Sequence, residues 1–206
     1  MIVKSKNVQR GRVSQEKAVS ALKSHLKYLQ YRERHPERES KETRVFFDAT
    51  RDNIDRRAVV KELIQKEQTG GIYYHRMMLS PAPDEPVNDW KVWTRAVLCD
   101  LSQRLGKTLS WYAMYHANTD NPHIHLVISG TAISYKTRSA VPVTFTPQDF
   151  KFLRARGREH SEYEQYRFLT ATLRDIEKRD DISKEAPRTQ RESVIGERGI
   201  YDDLDH

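Results

Sequence analysis

The sequence predicts an α+β fold: an antiparallel β-sheet of about five strands with helices packed on it. Three observations lead there. Some segments repeat apolar residues at helical spacing, while others are short runs rich in aromatic and β-branched residues. The two kinds alternate irregularly, without the strict β-α-β order that a parallel sheet requires. The stretch LSWYAMYHANTDNPHIHLVISG holds two such short runs joined by an Asn/Asp/Pro turn, which is a hairpin and therefore an antiparallel pair.

Taken in order, MIVKSKNV reads as a first strand and QRGR as a polar loop. Ser14 is placed to cap a helix carrying Val19, Leu22, Leu26 and Leu29 at helical spacing, with Tyr28 and Tyr31 beside that stripe. HPERESKE is a charged loop and RVFFD a short strand. A second helix runs from about Asp55 to Gln68 and stops at Gly70-Gly71. IYYHRMMLSP is apolar enough for a central strand, ended by Pro81 and Pro83. A third helix, from about Asp89 to Leu105, sets Trp90, Trp93, Val97, Leu101 and Leu105 on one core-facing side, with Gly106 as its stop. The hairpin follows, and then two helical segments around 147–158 and 161–180. Residues 1–183 read as one domain and residues 184–206, without period and of mixed charge, as a flexible tail or the start of a linker.

The 206 residues are enough to bury a core. The single Cys99 excludes a disulfide framework, which places the chain in the cytoplasm as an expectation. MIVKSKNVQRGR lacks the apolar run of a signal peptide, and no stretch is apolar enough to span a bilayer. The formal net charge is +7, and the excess is local: residues 1–44 hold twelve Lys/Arg against five Asp/Glu, and the remainder balances. Such a surplus is a solvated face or a surface for a polyanion.

His123 and His125 sit one residue apart in the second hairpin strand, so they share a face with Cα atoms about 6.5 Å apart. A His-x-His pair on a strand is commonly a mere surface pair. Here the turn brings His116, at the end of the preceding strand, back to the same end of the hairpin. Three neutral imidazoles with open positions suit a divalent ion. A Lewis acid in a basic protein points to phosphodiester chemistry, which needs a nucleophile. The chain offers no evident Ser-His-Asp set and no Gly-rich phosphate loop, but it offers tyrosines. Tyr28 stands among Lys23, Lys27, Arg32 and Arg34, surroundings that favour a phenolate and a phosphate. Tyr163 and Tyr166 stand among Glu159, Glu162 and Glu164, which disfavour both.

HLKYLQYR at 25–32, YHRMMLSPAPDE at 74–85 and LGKTLSWYAMYHANTDNPHIHLVISG at 105–130, in that order, resemble the conjugative relaxases of the His-hydrophobic-His (HUH) endonuclease superfamily. The likeness covers about residues 1–130 and is closest to the class whose third motif runs H-x-N/D-T-D-N-P-H-x-H. It implies a nickase that cuts one DNA strand at an origin of transfer through a 5′-phosphotyrosyl link and later rejoins it. Accessory relaxosome and coupling proteins are the further partners it suggests. Position by position it implies Tyr28 as nucleophile, with Tyr31 in reserve or as a stacking ring. It implies His116, His123 and His125 as ligands of Mg²⁺ or Mn²⁺, a set that could also take Zn²⁺ or Ni²⁺. Relaxases usually continue into a second functional domain, so the chain reads as a relaxase domain alone or as an unusually small member.

Other residues have two readings each. His75 could assist the tyrosine or touch phosphate, or be a hydrogen-bonded core histidine. Asp120 could orient a ligating imidazole or simply form an Asx-turn. Arg12, Lys27 and Arg32 are the expected phosphate contacts. Two rivals remain. A rolling-circle replication initiator or transposase of the same superfamily would use a tyrosine after the histidines, Tyr163 or Tyr166. A non-catalytic single-stranded DNA-binding module would hold a structural zinc, ordinarily with four protein ligands.

Overall fold

The computed structural model describes residues 1–31, 44–64, 69–117 and 121–185. The chain is α+β, with a four-stranded antiparallel sheet, a smaller three-stranded sheet and helices packed on them. It divides into two units, Met1–Tyr166 and Arg167–His206.

The first unit opens with β1 (Ile2–Gln9), followed by α1 (Gln15–Tyr31), α2 (Arg56–Ile64) and β2 (Ile72–Ser80). Next come α3 (Trp90–Leu105), the two-residue β3 (Lys107–Thr108) and the hairpin β4 (Trp111–His116) and β5 (His123–Ser129). β6 (Thr131–Ser134), β7 (Ala140–Pro142) and α4 (Pro147–Glu185) complete the order. The large sheet runs β1-β2-β5-β4, every neighbouring pair antiparallel. The small one runs β3-β6-β7.

Local chemistry explains the helix limits. The Ser14 hydroxyl accepts from the Lys17 amide at 3.3 Å and caps α1. Asp89 caps α3 by accepting from the amides of Lys91 and Val92 at 2.9 and 3.0 Å. α3 ends where Gly106 adopts φ 64°, the left-handed conformation that glycine takes without strain.

Strand alternation sends the sheet's side chains into two separate cores. Met77, Leu79, Trp111, Ala113, Ile124, Leu126 and Ile128 meet α3 and the start of α4 on one face, around the fully buried Trp93. Tyr74, Tyr112, Met114 and Val127 meet Leu22, Leu26 and Leu29 of α1 and Val59 and Leu63 of α2 on the other. The sheet is the middle of three layers. Burial of these apolar faces is the main stabilising term.

Two expectations are corrected and one element is added. RVFFD forms no strand of its own: Phe46 and Phe47 make isolated bridges, and Phe47 exchanges backbone bonds with Ala113 at 3.0 and 2.8 Å, covering the β4 edge. The β6–β7 region adds a small sheet that its polar, turn-rich sequence concealed. The two late helices are one, α4, because Gly157 lies inside it rather than ending it. A Cβ there would stand 2.4 Å from Met1 Sδ and 3.1 Å from the Trp93 ring, and the Gly157 carbonyl accepts from Trp93 Nε1 at 2.9 Å. That glycine serves helix packing. α4 passes the expected boundary at 183/184, and the described part of the second unit is the remainder of this helix. Among the described residues no helix is long and apolar enough to cross a membrane.

Gly130, where the chain leaves β5 for β6, yields a test of this architecture. Its amide donates to the Tyr73 carbonyl at 2.9 Å, and a Cβ would lie 1.9 Å from the carbonyl oxygen of Ile72. Backbone cannot yield as a side-chain tip does. Gly130→Ala is expected to destabilise by about 3 kcal/mol or more, read from urea unfolding; an unchanged midpoint would contradict the strand crossing described here.

Candidate metal centre

The β4–β5 register sets His116 directly opposite His123, and His125 follows on the same face one pleat along. Their neighbours Tyr112, Met114 and Val127 identify that face as the one covered by α1 and α2. One nitrogen from each of the three imidazoles falls within 4.8 Å of the others, and His123 Nε2 lies 3.1 Å from His125 Nε2. The ring centroids are 4.7 to 5.6 Å apart.

Outer contacts set the tautomers. His123 Nδ1 donates to the Asn121 carbonyl at 2.8 Å, which leaves the Nε2 lone pair toward the cluster. His116 is hydrogen-bonded to the backbone of Leu29, and its Nε2 is buried without a hydrogen-bond partner among the described residues. A buried acceptor of that kind costs free energy unless something fills it, and a cation facing two further Nε2 atoms fits. Burial, with His123 and Arg44 adding to it, lowers the His116 pKa to about 4. The ring is thus neutral, as a ligand must be, without help from the ion. Among the described residues the cluster has three donors and no fourth, the pattern of an open site.

α1 lies over this cluster. The ring of His25 approaches that of His125 edge-on at 6.5 Å, and Leu29 holds His116. Tyr28 is three residues after the first contact and one before the second, on the His25 side of the helix and 45% exposed. Tyr31 turns toward α2, where the Arg56 guanidinium sits over its ring at 5.6 Å. Tyr163 and Tyr166 belong to α4, whose Phe150, Phe152 and Leu153 pack on the opposite face of the sheet.

The remaining expected site residues separate. His75 is corrected to a core residue: it shares the far face with Met77 and Leu79, donates from Nε2 to the Val143 carbonyl at 3.0 Å and packs on Phe145. The sheet stands between it and the cluster. Arg12 precedes α1, about 20 Å of helix away from Tyr28 at 1.5 Å per residue. Lys27 is exposed on the α2 side of α1. Asp120 and Arg32 lie outside the described residues.

Sequence reasoning overlooked His25, Arg44 and Arg76. His25 is half-buried against His125, and its pKa is lowered to about 4 by burial and by Arg76. Arg76 stands opposite Val127 on the histidine face, and its buried Nε has no hydrogen-bond partner among the described residues. Arg44 is fully buried and acts electrostatically on His116. The spacing of a histidine three residues before a tyrosine was the available signal for His25; the two arginines carry none.

The depressed histidines give a pH prediction for the metal-free protein. His25 and His116 titrate at about 4 when folded against 6.5 unfolded, and burial lowers His75 as well. Between those values the unfolded chain binds more protons, so stability is intact above 6.5 and falls as the pH drops toward 4. The urea midpoint, taken in chelator, is expected to be lower at about pH 5 than at about pH 7. A flat midpoint over that range would refute the buried neutral state.

Compared with protein-family models and with curated proteins, the chain gives no match.

Proposed function

We propose that this chain is a metal-dependent DNA relaxase, nicking and rejoining one strand of cytoplasmic DNA at an origin of transfer with Tyr28 as nucleophile. The observation that carries the reading is the convergence of the three Nε2-bearing histidines beneath the turn of α1 that presents Tyr28. A divalent ion, Mg²⁺ or Mn²⁺, held by His116, His123 and His125 would polarise a non-bridging phosphate oxygen and stabilise the charge that grows as the bond breaks.

The chain's own groups supply the rest. The Tyr28 oxygen forms a bond to phosphorus, the P–O3′ bond breaks, and the phenolic proton ends on the departing 3′ oxygen directly or through solvent. The 5′-phosphotyrosyl link keeps the bond energy, so a 3′-hydroxyl can reverse the step without ATP. His25 keeps a neutral imidazole on the Tyr28 side of α1. Arg76 and Arg44 set positive charge beside the cluster, where a phosphate's negative charge would sit. Accessory relaxosome and coupling proteins would select the site and receive the strand.

The placement of α4 on the other face argues against the initiator order with Tyr163 or Tyr166. Among the described residues the cluster offers three donors, where structural zinc ordinarily takes four, which argues against that reading. The experiment is to incubate the protein and Mn²⁺ with single-stranded oligonucleotides carrying candidate origin sequences, seek a covalent adduct by denaturing gel, and map the DNA-linked peptide by mass. Attachment to Tyr28 supports the proposal. Attachment to Tyr163 or Tyr166 would make the chain an initiator, and no adduct on any tyrosine would favour the binding module.

A further inference from the structure

α4 carries half of the large apolar side chains that are exposed among the described residues, all of them within residues 163–176. Tyr163, Tyr166, Phe168, Leu169, Leu173 and Ile176 are each 50 to 68% open to solvent. At 3.6 residues per turn, Tyr166, Leu169, Leu173 and Ile176 fall in a stripe about 80° wide, with the 3-4-3 spacing of a helix–helix seam. Tyr163 lies along one margin of it. Glu162 bounds the stripe one turn before Tyr166.

This is not the side of α4 that packs on the sheet. The buried residues Leu153, Gly157 and Ser161 follow one another at a spacing of four and lie about 140° around the helix from the stripe. Arg167, Arg174, Asp175 and Lys178 fall on the side opposite to it, and the positions that border it between 165 and 172 are the uncharged Gln165, Thr170 and Thr172. A helix draws most of its stability from burying an apolar face, so one that shows such a face to water calls for a partner.

We propose that the stripe is the contact between two copies of this chain, paired through α4. Charges that border an apolar seam select one helix partner over another, and like charges there keep identical helices apart. Uncharged borders repel no second copy, and a second copy brings a stripe of the same length and shape. A closed two-fold pair is also the commonest assembly of identical chains. A side chain of this size, half or more exposed, offers about 100 Å². The four stripe residues and Tyr163 of both copies then bury about 1,000 Å², the lower limit of a specific interface. The pair is accordingly reversible, with a dissociation constant of about 1–100 µM. Its existence does not rest on the relaxase reading, and it gives Tyr166 a part in packing rather than in chemistry.

Sedimentation velocity of the full chain, taken from about 1 to about 500 µM, reads the pairing directly. The unaltered protein is expected to pass from the mass of one chain to that of two over this range. Leu169→Glu combined with Leu173→Glu is expected to raise the dissociation constant by more than about a hundredfold, because parallel and antiparallel pairing alike then set like charges against each other. Glutamate forms helix well, so helix content by circular dichroism should be unaltered. Should the double variant lose helix, Leu169→Gln with Leu173→Gln is expected to raise the constant about tenfold or more by removing apolar surface alone. An unaltered chain that stays single up to about 500 µM would overturn the proposal and leave the stripe to residues 186–206 or to a different protein. Pairing of unchanged strength in a folded variant of either kind would also overturn it, since the contact would then lie elsewhere.

Discussion

Tyr28→Phe is expected to abolish the covalent protein–DNA adduct, with at least about a thousandfold loss in rate, because no other group replaces a missing nucleophile. The change removes one oxygen and keeps the ring. Tyr28 is 45% exposed, so losing one oxygen leaves the packed core untouched. Single-stranded DNA affinity should stay within about twofold, since surface substitutions of this size shift free energies by only tenths of a kcal/mol. Tyr31→Phe should retain activity, because the Arg56 contact uses the ring, which Phe preserves. Tyr163→Phe and Tyr166→Phe should also remain active, as their helix packs on the far face of the sheet. An adduct that survives Tyr28→Phe at wild-type rate would remove Tyr28 from the chemistry.

His123→Ala combined with His125→Ala is the second large effect. Both rings are only partly buried at one end of β5, so the core should tolerate their loss. Only His116 would remain of the three donors. Calorimetry with Mn²⁺ is expected to show affinity reduced by more than about a hundredfold, since even outer contacts of a metal site are worth tenfold to a hundredfold. Adduct formation should fall with it, and a chelator added to the unaltered protein should reproduce the loss. Cleavage that persists in chelator would exclude the metal role even if the tyrosine prediction held.

The histidine trio was legible because its geometry is local. A turn between two strands brings their ends together, and the two-residue period sets His123 and His125 on one face whatever the rest of the chain does. The α1 stripe of Leu22, Leu26 and Leu29 was legible for the same reason. His75 stayed open between two readings because period 2 says which residues share a face, not which face it is. Only the pairing of Leu79 with Ile124 and of Met77 with Leu126 puts His75 with the core residues of β5 rather than with its histidines. His25, Arg44 and Arg76 owe their roles to layers meeting, and no spacing along the chain encodes that.

The bond between His116 and the backbone of Leu29 has a thermodynamic consequence. It ties a strand imidazole to the last turns of α1, so ligand capture and helix order become linked equilibria that must influence each other by the same factor. Whatever frays the end of α1 weakens cation affinity, and whatever occupies the imidazoles slows amide exchange in the turn that carries Tyr28. On the proposed reading, the nucleophile would be held in place best when the cation is bound, and the metal-free protein would be spared untimely attack on DNA by the same contact that organises the timely one.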